Sequence, residues 1–170
     1  MLNTMPLLCQ VPRDRSKMTK LQKLLAINDP VVFKFKNNPS YDYNTVVENK
    51  PVTLSIPFGF LTDGASSPVF SWIIGFRPDG VLAIGSYFHD FYYRHGFLLD
   101  DKGARIYEGR GKAFADQLLA QLTAEVAEVK APGRIAQGVL ALCGWPAWWG
   151  GSKFRKTKTI QLVGDYEEYA

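Results

Sequence analysis

The chain has 170 residues, of which 46% are hydrophobic and 21% charged, with a net charge of +4. That length suits one domain whose core needs neither disulfides nor a structural metal, and the apolar-to-charged balance excludes a wholly disordered chain. Cys9 and Cys143 stand far apart without C-x-x-C spacing, which excludes a zinc knuckle and a disulfide framework, and the mild positive charge is not the concentrated patch of a dedicated nucleic-acid binder.

Residues 1–29 read as an N-terminal segment. Its apolar run, Met5 to Cys9, is too short for a signal-peptide core and has no basic stretch before it, so no signal peptide is expected. Ser16 to Ile27 sets Leu21, Leu24 and Leu25 at helical spacing among lysines, the pattern of a short amphipathic helix. Residues 30–150 read as a single α+β domain. Val31 to Lys36 alternates apolar and cationic side chains as an edge or half-buried strand does. Two more strand-like pieces, Tyr43 to Glu48 and Val52 to Ile56, flank a turn expected at Asn49-Lys50-Pro51, and together they predict a small antiparallel sheet.

From Phe58 to Pro68, glycine, serine and proline break every period, so a loop is expected. Helical patterning follows over Val81 to His95 and over Gly111 to Val129, with Phe114, Leu118, Leu122 and Val126 spaced by fours. A third helix is expected from Arg134 to Cys143, after a stop at Ala131-Pro132-Gly133. The sheet of the N-terminal half would thus pack on about three helices of the C-terminal half. No apolar stretch reaches the roughly 20 residues of a spanning helix. Trp145, Trp148 and Trp149, followed by Lys153, Arg155, Lys156 and Lys158, fit either a packed aromatic cluster or a membrane-surface contact. Residues 151–170 form a basic-then-acidic tail with a weak strand signal at Thr159 to Val163.

The residues that bear chemistry are Asp63, His89, Asp90 and Asp116. His89 and Asp90 lie mid-helix among aromatics, about 100° apart around the axis, so both can border one pocket. Gly85 and Ser86 precede His89 by one turn and leave room for a ligand or another chain segment. Asp116 stands beside an apolar stripe between Ala113, Leu119 and Ala120, and a carboxylate placed there requires a partner such as His89, Lys112 or a metal ion. Asp63 opens Thr62-Asp63-Gly64-Ala65-Ser66-Ser67-Pro68, where it either closes an Asx turn or joins the same cluster.

Phe60-Leu61-Thr62-Asp63-Gly64-Ala65-Ser66-Ser67-Pro68, His89-Asp90-Phe91-Tyr92-Tyr93 and Ala115-Asp116 resemble the motifs F-x-T-D-x-A-S-x-P, H-D-x-L-Y and R-x-x-A-D of a phage- and prophage-associated domain-of-unknown-function family, family 1353. The likeness spans about residues 30 to 150, with Tyr92 in place of leucine and Lys112 in place of arginine. It implies a bacteriophage protein of small α+β fold, located in the host cytoplasm or the virion, and supplies no activity. Over five residues, H-D-x-x-Y is also similar to the secreted phospholipases A2, whose histidine is the base and whose adjacent aspartate binds calcium; their cysteines are not present here.

Three functions follow. In the first, a metal-assisted hydrolase, Asp90 and Asp116, with Asp63, hold a divalent cation (Ca²⁺ or Mg²⁺ before Zn²⁺) while His89 and Asp116 serve as the catalytic pair. In the second, Ser66 or Ser67 is a nucleophile with His89 as base and Asp116 as orienting carboxylate. Thr62, Ser66, Ser67 and Tyr93 would then be substrate or loop contacts. In the third the cluster is a structural network, and the protein is a tail or baseplate component, or a host-directed binding or anti-defence factor, whose partners are virion proteins or a host factor.

Overall fold

The computed structural model describes residues 5–11, 32–37, 39–62, 82–128 and 131–150. Strand β3 (Ser40–Val47) and strand β4 (Lys50–Pro57) form a hairpin in continuous antiparallel register, from Ser40 opposite Pro57 to Val47 opposite Lys50. Along β3, Tyr41, Tyr43 and Val47 turn inward while Asp42, Asn44 and Val46 face solvent, the two-residue period of a strand with one buried face. The turn falls on Glu48 and Asn49, with φ of 51° and 62°. Left-handed residues at both central positions match the twist of the flanking strands, so the strands reach closer together than Asn49-Lys50-Pro51 suggested, and Lys50 and Pro51 belong to β4.

A second sheet has the order β1-β2-β5, with β1 at Leu8–Val11, β2 at Val32–Phe35 and β5 at Leu61–Thr62, all antiparallel. The alternation that suggested an edge or half-buried strand belongs to the central strand of this sheet. Lys34 is buried there, with its ammonium 5.3 Å from the centre of the Phe58 ring. The short strands β6 (Leu98–Leu99) and β7 (Arg105–Ile106) extend the hairpin sheet beyond β4, through Ser55 opposite Leu99. Each is two residues long, too short a span for a sequence period to register.

Helix α1 (Ala83–His95) occupies the centre of the molecule. Tyr87 meets Phe35 edge-on at 5.3 Å, Phe88 packs on Tyr41 and Tyr43, and Phe91 meets Phe60 at 5.0 Å. The helix stops at Gly96, whose φ of 77° suits only a residue without Cβ and whose N–H donates to the Tyr92 carbonyl. Helix α2 (Lys112–Ala127) crosses α1 closely at Gly85, where an added Cβ would lie 2.8 Å from the Leu119 carbonyl oxygen and 2.9 Å from Thr123 Oγ1. The room beside His89 thus admits another helix. Far along α2, Gln121 donates to the Val46 carbonyl and Thr45 donates to Glu125, docking the helix on β3.

Helix α3 (Ala131–Cys143) starts at Ala131-Pro132-Gly133, the tripeptide expected to stop a helix. Proline in a first turn forfeits an N–H that has no intrahelical acceptor there, so Pro132 starts α3 instead. Ala136 and Leu140 turn inward against Leu82 and Leu119. Helix α4 (Trp145–Gly150) follows after Gly144. The architecture is α+β, as the pattern of elements predicts. The N-terminal helix, the strand at Thr159 to Val163 and the loop beyond Thr62 lie outside the described residues.

Candidate functional site

Eleven of the thirteen side-chain positions of α1 are buried; the other two, Asp90 and Arg94, are half-buried and one turn apart on the same side. That side faces β5. Thr62 donates its hydroxyl to Asp90 Oδ2 at 2.6 Å, and the Arg94 guanidinium donates to the Leu61 carbonyl at 2.7 Å. The segment carrying Asp63, Ser66 and Ser67 departs from this point, but those three residues lie outside the described ones.

The neighbouring side of α1 meets α2. His89 Nε2 lies 3.2 Å from Asp116 Oδ1, and the Tyr93 hydroxyl donates to the same oxygen at 2.5 Å. His89 and Tyr93 are one turn apart, so their rings overlie each other at 3.9 Å and approach Asp116 together. Lys112, one turn before Asp116 on α2, donates to Asp116 Oδ2 at 2.6 Å and to the Leu140 carbonyl of α3 at 2.6 Å. Both carboxylate oxygens of Asp116 are thereby engaged, with the imidazole and a phenol on one and an ammonium on the other.

Asp90 stands on the other ring nitrogen. Its Oδ1 is 3.6 Å from His89 Nδ1, within electrostatic reach but beyond direct hydrogen-bonding distance. The two aspartates therefore address opposite nitrogens of one imidazole: Asp116 holds Nε2 from the buried side, and Nδ1 points to the half-buried side where Asp90 meets Thr62. Two carboxylates face one ammonium and one imidazole, so the group balances electrically when His89 is protonated. Burial opposes the charged ring, but the hydrogen bond to Asp116 and the nearby negative charges of Asp90 and Asp116 outweigh it and hold His89 above its ordinary 6.5. Asp116 shows the complementary effect: burial favours its neutral form, while His89, Lys112 and Tyr93 together hold it below its ordinary 3.8.

Of the residues named from sequence, His89, Asp90, Asp116, Thr62 and Tyr93 come together. Among the described residues no three histidine, cysteine or carboxylate side chains are grouped to hold a metal ion. Lys112 acts as a point charge, its ammonium making two separate bonds, to the Asp116 carboxylate and to the Leu140 carbonyl. Sequence reasoning missed Arg94, although its four-residue offset from Asp90 was a usable signal. It also missed Gly144, whose added Cβ would lie 2.9 Å from the Tyr93 hydroxyl and 3.1 Å from Lys112 Cε, and Trp145, whose ring lies 5.4 Å from the Lys112 ammonium. No local pattern marks these two, because α3 and α4 meet α2 only in the tertiary structure.

A hollow of about 260 Å³ lies elsewhere, lined by Tyr92, His95, Gly96, Glu108, Gly109 and Trp148, and includes none of the cluster. Comparison with family models, with curated proteins and with solved structures returns no match.

Proposed function

We propose that this is a bacteriophage-encoded, metal-assisted hydrolase in which His89 is the general base and Asp116 its orienting carboxylate. The observation that carries this is the division of labour around the ring: Asp116, itself held by the Tyr93 hydroxyl, fixes the imidazole through Nε2, and Nδ1 is left facing the half-buried side of α1. A base needs one nitrogen anchored and the other turned to where a proton arrives, and His89 is that base in its neutral form, above its raised pKa. His89 Nδ1 accepts a proton from water as the water oxygen bonds to the electrophilic carbon or phosphorus, and the imidazolium then returns that proton to the leaving group. Asp116 stabilises the imidazolium without itself taking up the proton.

Asp90 is the described carboxylate that fits a hard cation, since it is half-buried and beside the strand end that leads to Asp63. Asp63 would complete the ligand set; Asp116, already engaged by Lys112, acts through the ring. When bound, a Ca²⁺ or Mg²⁺ ion there would polarise the scissile group and neutralise developing negative charge. The test is thermal stability in EDTA and then with added Ca²⁺, Mg²⁺, Mn²⁺ or Zn²⁺, together with hydrolysis of ester, amide and phosphodiester panels. A cation-dependent rise in Tm that Asp90→Asn abolishes, and a hydrolysis that His89→Gln abolishes, are expected. No metal-dependent shift in the wild type would sink the metal role, and no hydrolysis across the panels would sink the enzyme.

One observation favours a second reading. The internal charge balance and the full engagement of Asp116 are also what a structural network requires. On that reading the protein is a virion component or a host-directed factor, and His89→Gln lowers stability with no activity to lose.

A further inference from the structure

We propose that the outer face of α3 and α4 docks the protein on an anionic lipid bilayer surface. Beside the half-buried Ala136 and Leu140, α3 carries Ile135, Val139 and Leu142, which fall within about 60° of arc at 100° per residue. They are 50%, 48% and 83% exposed. Trp145 and Trp149 follow on α4, their rings 5.9 Å apart and 46% and 64% exposed. Trp148 turns the other way, stacked on Tyr92 and edge-on to Tyr93, so the tryptophans divide between core and surface. Five large exposed apolar side chains on two successive helices exceed the scattered exposure of an ordinary surface.

Charge selects the occupant. Residues 129–163 contain six Lys and Arg and no Asp or Glu, while the rest of the chain, with fourteen Lys and Arg against sixteen Asp and Glu, is slightly acidic. Arg134 lies on α3 itself; Lys130, Lys153, Arg155, Lys156 and Lys158 lie outside the described residues and enter by their sequence position. A second copy of so basic a stretch of sequence would be repelled. Nucleic acid would find aliphatic side chains where its phosphates need donors. Aliphatic residues, tryptophans at the margin and flanking cations together match an anionic headgroup surface with its acyl boundary. No helix among the described residues is long and apolar enough to cross a membrane, so the contact is with the surface. This inference stands apart from the hydrolase, although the inner side of α3 walls the His89 cluster through the Leu140 carbonyl.

The test is co-sedimentation of the full chain with vesicles of phosphatidylcholine alone and with an equal part of phosphatidylglycerol. Binding to the anionic vesicles alone is expected, with a blue shift of tryptophan emission. Leu142→Ser with Trp149→Ser should weaken binding on the order of tenfold or more, from lost apolar burial. Each of Lys153→Gln, Arg155→Gln, Lys156→Gln and Lys158→Gln should weaken it about fivefold. Unchanged melting curves would show that these surface variants are folded. Failure of the wild type to bind, binding indifferent to phosphatidylglycerol, or binding equal in the Leu142→Ser/Trp149→Ser variant would overturn the proposal. So would a dimer in sedimentation velocity that the same pair of substitutions dissolves.

Discussion

His89 and His95 stand six residues apart on one helix, both buried, and the protein treats them oppositely. His89 lies between two carboxylates and is held above its ordinary pKa. His95 packs among Phe60, Phe91 and Phe97, donates Nδ1–H to the Phe91 carbonyl at 3.0 Å, and has Arg94 and Arg105 nearby. Burial pushes it down to about 4; its backbone bond opposes the fall and the two arginines reinforce it. Equal burial thus gives one ring that favours its proton and one that refuses it. The partner set decides the outcome: His89 has Asp116 across the α1–α2 contact and Asp90 beside it on the β5 side, whereas arginines stand near His95.

The harshest way to break the contrast is to remove a charge from the balanced side. Lys112→Met leaves Asp116 buried without its ammonium, and breaking a buried pair in this way costs roughly 3–5 kcal/mol. Urea denaturation of the variant should show that loss, and Asp116→Leu added to Lys112→Met should recover a large part of it; a double variant no more stable than Lys112→Met would mean the pair is not coupled. Asp116→Asn should instead make His89 resemble His95, lowering its pKa toward and below 6.5 in an imidazole NMR titration.

Next in size is the pH response. An unfolded chain protonates its histidines near 6.5, whereas folded His95 waits until about 4. Between those values the unfolded state binds more protons, so His95 removes stability as pH falls, at a slope of up to about 1.4 kcal/mol per pH unit. His95→Phe should flatten the curve of stability against pH over that window; an unchanged slope would show that His95 is protonated in the native protein. His89 works with the opposite sign. In the metal-free protein its stabilisation is full below 6.5 and is lost as pH rises through its raised pKa. Asp116, held low, adds stability above 3.8 that disappears in stronger acid.

A smaller effect is expected at Gly144. A methyl group there would stand 2.6 Å from the Leu140 carbonyl oxygen and crowd Tyr93 and Lys112, so Gly144→Ala should cost about 1–3 kcal/mol. Its His89 pKa should move as well, since the displaced groups are those that hold Asp116. Stability lost with no change at His89 would separate the glycine from the cluster.

What the sequence disclosed follows from physical range. The helices α1 and α2 show because their apolar periods run over three or more turns, and Asp116 shows because a carboxylate beside such a stripe must be answered. β1, β6 and β7 are too short for a period, and β1 and β6 pair with strands distant in sequence. Pro132 was misplaced because the same residue ends one helix and starts another; which it does depends on Gly133 lying against the Ala120 backbone. The cluster's members were legible singly. Their assignment to opposite nitrogens of His89 was not, because it depends on how α2 is rotated against α1, and no spacing within one helix records that.

The smallest effect is the most telling about surface against interior. Leu140 and Leu142 are two residues apart on α3, yet Leu140 packs inward and lends its carbonyl to Lys112, while Leu142 is 83% exposed. Leu142→Ser should change unfolding free energy by no more than about 0.5 kcal/mol, the usual range for a surface site without partners. A melt superimposable on wild type, with His89 titrating unchanged, would show that the apolar row outside α3 contributes nothing to the charged cluster inside it. A loss above about 1 kcal/mol would place Leu142 in the core of the folded chain and remove it from any outer face.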